Sequence, residues 1–140
     1  MLVIVVLVLV VAGWLMLKGS GNVALNSPLP TPTPSPSGHV ITVTYTDSGY
    51  SPNTVTVGKG DMVVWQNKSS SPMWTASAVH PTHTVYPGTS IANCGNVSNQ
   101  FDACAGVPPG QSWSFIFNYA GNWNYHDHLN SAHTGTVIVK

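Results

Sequence analysis

The chain has 140 residues and no net charge, and charged residues make up only 6% of it: four lysines, no arginine and four aspartates. Charge this sparse argues against a nucleic-acid-binding face, which needs clustered cations. It leaves solubility to Ser, Thr, Asn and Gly, and it suits close packing in an assembly.

In chain order, the first segment is Leu2 to Leu17, apolar and broken only by Gly13. As a helix it would reach about 24 Å, the short end for crossing a bilayer. There is no basic stretch before it and no clear cleavage site after it, so residues 1–18 read as an uncleaved membrane anchor, with a cleaved signal peptide as the rival. Lys18 does not settle its orientation. Residues 19–37 form a linker in which Pro28, Pro30, Pro32, Pro34 and Pro36 alternate with Leu, Thr and Ser. Alternating proline cannot join a helix or a sheet interior and favours an extended spacer.

Residues 38–140 are the folded part, and their pattern has period two. Ile41, Val43 and Tyr45 alternate with threonines, as do Val55 and Val57. Met62 to Trp65 is continuously apolar. Trp113, Phe115, Phe117 and Tyr119 alternate with Ser112, Ser114, Ile116 and Asn118, and Val137 and Val139 close the chain. Short alternating runs between Gly, Pro and Asn clusters predict an antiparallel Greek-key β-sandwich. Trp65, Trp113 and Trp123 read as core. Ser69 to Pro109 is irregular, with one strand expected around Trp74 to Val79. A long loop in a compact domain is functional or tied down. Cys94 and Cys104, the only cysteines, suit a disulfide there in an exported domain. Asn67-Lys68-Ser69 and Asn96-Val97-Ser98 match the glycosylation pattern, which is common by chance.

Five of the six histidines lie from His80 onward. His80-Pro81-Thr82-His83 sits in the irregular stretch, and His126-Asp127-His128 near the end of an expected strand. Strand alternation would send His126 and His128 to one face as a bidentate pair, and a turn at Pro81 would bring His80 and His83 together. Four imidazoles suit Cu(II), Zn(II), Ni(II) or Fe(II). His39, isolated in sequence, reads as structural or exposed, and Ser114 and the other hydroxyls show no arrangement that suggests a nucleophile.

Tyr50 to Asn67, with Gly58-Lys59-Gly60-Asp61 and Val63-Val64-Trp65-Gln66-Asn67, resembles the cupredoxin pattern. So do Gly110 to Phe117, Gly121 to Tyr125 and Gly135 to Val139. The resemblance spans nearly all of residues 40–140 and implies the cupredoxin fold. It does not bring the blue-copper ligands with it. The Cys-x-x-His-x-x-Met loop becomes Asp127, Asn130 and His133, and the upstream histidine falls at Met73. A second likeness, to multicopper oxidases, matches the residues present: His80-Pro81-Thr82-His83 is similar to the start of His-Pro-x-His-x-His, with Val85 at the third histidine, and His126-Asp127-His128 to His-Cys-His.

These likenesses imply one mononuclear copper site formed by His80, His83, His126 and His128, with zinc as the alternative metal. Asp127, His133 and Met73 stand behind them as second-rank ligands, Met73 having packing beside Trp74 as its other reading. Asp127 can instead orient a histidine. Without a thiolate, nitrogen donors favour Cu(II). The leading expectation is a membrane-tethered extracytoplasmic copper protein acting in copper handling or electron transfer, with residues 2–17 in the membrane and a redox or copper-transfer protein as partner. The second is a mononuclear copper oxidoreductase acting on nitrite or superoxide, with Asp127 or His133 as proton donor. The third is a surface or filament subunit that self-assembles through its apolar start.

Overall fold

The computed structural model describes residues 38–97 and 99–140. The expected anchor (1–18) and linker (19–37) lie outside the described residues. Among the described residues eight strands form: β1 (Val40–Thr46), β2 (Gly49–Ser51), β3 (Thr54–Val57), β4 (Met62–Asn67), β5 (Thr75–Ser77), β6 (Ser112–Ile116), β7 (Gly121–Asp127) and β8 (Asn130–Val139). They make two four-stranded sheets, β2-β1-β4-β6 and β3-β8-β7-β5. The all-β sandwich expected from period-two patterning is present, and the strand expected around Trp74 to Val79 is the shorter β5, Thr75–Ser77.

The sheets are mixed rather than purely antiparallel. β1 pairs with β4, and β3 with β8, in parallel. The reason is a double change of sheet. After the β1–β2 hairpin the chain crosses to the second sheet as β3. A turn at Gly58–Asp61 then returns it to the first sheet, where β4 runs alongside β1. That turn is fixed by the Asp61 carboxylate, which accepts from the backbone N–H of Gly58 and of His39, each at 2.7 Å. Both bonds hold Asp61 below the usual carboxylate range. The His39 side chain itself is exposed. β6 ends at Ile116, short of the alternating run that continues to Tyr119, because Phe117 N–H bonds the Asp61 carbonyl instead of a ladder partner.

Inward-facing residues of both sheets meet in one aromatic core. Trp65 is fully buried, with its ring centre 5.2–5.5 Å from those of Trp113, Tyr125 and Phe101. Trp113 and Trp123 pack against this core at its edge. Tyr125 faces Gly135 across the β7–β8 ladder, and the missing Cβ at Gly135 is what admits the Tyr125 ring. A Cβ there would collide with the Tyr125 ring and hydroxyl and approach the Asn53 carbonyl at 2.7 Å. Overpacking of this kind typically costs about 1–3 kcal/mol. Gly135→Ala is therefore expected to lower stability by at least that much in urea unfolding, with the slope of the transition unchanged.

Candidate metal centre

Among its described residues, the stretch from Ala78 to Pro109 contains one turn of 3-10 helix, Ile91–Asn93, and otherwise no regular helix or strand. It is tied down by its aromatic side chains. Tyr86 and Phe101 are both buried in the core, and Phe101 lies 4.8 Å from Phe117 between ring centres. The Cys94–Cys104 disulfide is formed, with Cα atoms 5.3 Å apart, closing the loop that carries Phe101. The neighbour of Phe101 is Asp102, whose backbone bridges to Ala76 of β5. Core burial thus carries a carboxylate to the second sheet beside His83.

The loop brings His80 and His83 against His126 and His128. One ring nitrogen from each lies within 4.8 Å of the other three. His80 Nδ1 is 3.3 Å from His126 Nε2, and His83 Nε2 is 3.0 Å from His128 Nδ1. Ligands held about 2.0–2.1 Å from one ion at angles between square and tetrahedral lie about 3 Å apart, so these spacings fit the edges of a single coordination shell. His83 and His126 are buried, His128 is half-buried and His80 is exposed.

His126 and His128 do not converge by strand alternation. β7 ends at Asp127, with a shift of register between His126 and Asp127. His128 lies past the strand, and its N–H bonds the Trp74 carbonyl at 2.7 Å. The irregularity turns the second imidazole back toward the first, as such breaks in a ladder do. The Trp74 ring then lies 4.5 Å from that of His128.

Asp102 was not singled out by sequence. Its Oδ2 meets His83 Nδ1 at 2.5 Å, both side chains being fully buried. Its Oδ1 accepts from Trp74 Nε1 and from Cys104 N–H, each at 2.7 Å. Burial alone would raise the Asp102 pKa. The bonds from His83, Trp74 and Cys104 outweigh it and hold the carboxyl below its ordinary value. With Nδ1 turned to the carboxylate, His83 presents Nε2 to the other imidazoles. A carboxylate behind a histidine in this way fixes its tautomer and ring orientation. His83 also has φ +61°, a left-handed backbone that is uncommon outside glycine and clusters at functional sites.

The second-rank residues lie outside this group. Asp127 is buried and uses both oxygens elsewhere: Oδ1 accepts from Trp74 N–H at 2.8 Å and Leu129 N–H at 3.1 Å, and Oδ2 from the Tyr45 hydroxyl at 2.5 Å. That hydroxyl also lies 2.9 Å from His133 Nδ1. Burial, and then the Asp127 carboxylate, push the Tyr45 pKa well up. Asp127 thus supports a tyrosine–histidine contact and orients none of the four clustered imidazoles. Asp127 and His133 line a separate cavity of about 280 Å³ with Tyr45 and Asn130. Met73 is fully buried in the aromatic core. Of the two glycosylation triplets, Asn67 is also buried, with its amide bonded to the Ser71 and Val107 carbonyls.

Neither a protein-family model nor a curated protein matches the chain. Solved structures do. A purple cupredoxin from Nitrosopumilus maritimus aligns over 71% of this chain and 99% of its own, at a TM-score of 0.55 and 18% identity. A methionine-to-alanine variant of amicyanin in its Cu(I) form aligns over 76% of this chain and 95% of its own, at 0.54 and 20%. An oxidised methionine-to-leucine variant of amicyanin gives 0.52 and 22% over the same shares. This chain has the cupredoxin fold. At such identities the likeness concerns architecture, and in this chain the position expected for the metal-binding cysteine is Asp127.

Burial, then the neighbouring imidazoles of His83, His80 and His128, press the His126 pKa from 6.5 down to about 4, against a smaller opposing pull from Asp127. His128 is lowered for the same leading reason. The folded chain therefore binds fewer protons here than the unfolded chain, so stability rises with pH across that interval. For metal-free protein, the melting temperature is expected to hold above pH 6.5 and to fall progressively toward about pH 4. His126→Ala is expected to flatten that dependence in scanning calorimetry.

Proposed function

We propose that this chain is a copper-binding protein with a thiolate-free centre of His80, His83, His126 and His128, acting in copper handling or electron transfer. The observation that carries the reading is the convergence of four imidazole nitrogens within 4.8 Å, backed by a buried carboxylate. The other close group, Cys94, Asp102 and Cys104, has its sulfurs in the disulfide and offers no thiolate.

His126 and His83 would hold the ion from the buried side, His128 from beside Trp74 and His80 from the solvent side. Copper is favoured over zinc because the divalent affinity series peaks at copper and imidazole suits it, in agreement with the fold. Bound copper would supply one-electron chemistry, and four nitrogen donors favour Cu(II). Asp102 keeps His83 in the tautomer that offers Nε2, and the Trp74 ring narrows access to His128. The N-terminal apolar segment and proline spacer are read as holding the domain outside the cytoplasm near a membrane, where a redox or copper-transfer protein would be the partner.

A second reading, a copper oxidoreductase acting on a small molecule, draws support from a cavity of about 480 Å³ that reaches His80 and His126. Asp127 and His133 do not serve it as proton donors, since they line the other cavity. Self-assembly through residues 2–17 is a third reading, tested by deleting them and looking for loss of polymers in the microscope.

Purified protein is expected to bind one copper per chain, with a Cu(II) paramagnetic resonance spectrum of nitrogen ligation and only weak visible absorption. His126→Ala with His128→Ala is expected to abolish binding; retained copper in that variant would overturn the site. Asp102→Asn is expected to weaken copper binding about 10- to 100-fold in chelator competition, the usual cost of losing an outer-shell partner.

A further inference from the structure

The larger cavity lies on the outer face of the β3-β8-β7-β5 sheet. His80 and His126 line one end of it. Thr54 of β3, Asn124 of β7, and Thr134 and Thr136 of β8 line the rest, with Asn53 and Ser131 at the rim. β7 and β8 pair so that Asn124 stands opposite Thr136 and His126 opposite Thr134. Period-two alternation therefore puts amide, hydroxyl and imidazole side by side on one surface. At about 480 Å³ the space falls in the range of small-ligand sites.

Its chemistry is selective. Apart from the two imidazoles its polar side chains are amides and hydroxyls, and none of the three lysines among the described residues is there. An anion entering would give up water without meeting a lysine or arginine side chain. The polar groups are amides and hydroxyls, which both donate and accept. The Thr136 hydroxyl donates to Asn124 Oδ1 at 2.9 Å. That bond orients the Asn124 amide and leaves its two N–H donors for a ligand.

We infer that this cavity is a binding site for a neutral, hydroxyl-rich ligand of the sugar class, presented to the centre at His80 and His126. Presentation to a metal rests on the copper reading; binding to the sheet face does not.

The test uses isotopically labelled, metal-free full-length protein titrated with cellotetraose and, separately, with tetragalacturonate, its charged counterpart. Cellotetraose is expected to shift the backbone amide signals of Asn53, Asn124, Thr134 and Thr136. Tetragalacturonate is expected to bind at least about tenfold more weakly, equivalent to ~1.4 kcal/mol. Asn124→Ala and Thr136→Val, checked for unchanged melting, are each expected to weaken cellotetraose binding by about the same factor. No shift with cellotetraose, equal binding of the charged oligomer, or full binding by both variants would overturn the assignment. Copper content of the same preparation, measured after reloading, reports on the metal centre independently.

Discussion

The centre depends on one buried contact, the hydrogen bond between His83 Nδ1 and the Asp102 carboxylate. Neither side chain reaches solvent, so each would be costly to bury alone. An unpaired buried charge typically costs several kcal/mol. The contact is tolerated because Trp74 Nε1 and Cys104 N–H complete the set of donors around the carboxylate. It exists only because Phe101 is driven into the core, which sets the height and direction of the next residue. Hydrophobic burial of one ring thus positions a polar group that burial alone would have expelled.

Trp74 joins this network to a second one. Its N–H bonds Asp127, its indole N–H bonds Asp102, its carbonyl accepts from His128 N–H, and its ring lies against the His128 imidazole. Two buried carboxylates are therefore tied through a single residue to two of the four imidazoles. Asp127 stands where the family pattern expects a sulfur ligand, yet it acts as a structural acceptor for the β7–β8 turn and the Tyr45 hydroxyl. The histidine cluster takes two members, His126 and His128, from the residues flanking that position and none from the position itself.

Much of this architecture was legible in residue order. Alternation at Ile41–Tyr45, Val55–Val57 and Val137–Val139 marks strands because one face of each must be buried, and Val43, Val57 and Val137 are indeed interior. The grouping of two histidine pairs was legible from their spacing and from the family resemblance. Parallel pairing was not, because it arises from changes of sheet between strands that alternation does not encode. Asp102 was not legible either. It sits in an irregular loop, its partner is 19 residues away, and no periodicity connects them. Strand alternation does not bring His126 and His128 together as expected: His128 lies past the end of β7, and the two approach across a break in the ladder.

The four imidazoles are not held equally. His83 is locked by Asp102, His126 by its place in β7 between β5 and β8, and His128 by Trp74. His80 follows Val79, which is itself exposed, and its one side-chain hydrogen bond among the described residues is to His126. With a metal at this cluster, three preorganised imidazoles and one looser fourth would set where exchange occurs, because a held ligand resists displacement and a solvent-facing one does not. The looser imidazole, His80, borders the larger cavity. The approach to the cluster and its least-held imidazole therefore coincide, and both trace back to the two residues, Phe101 and Tyr86, that pin the loop to the core.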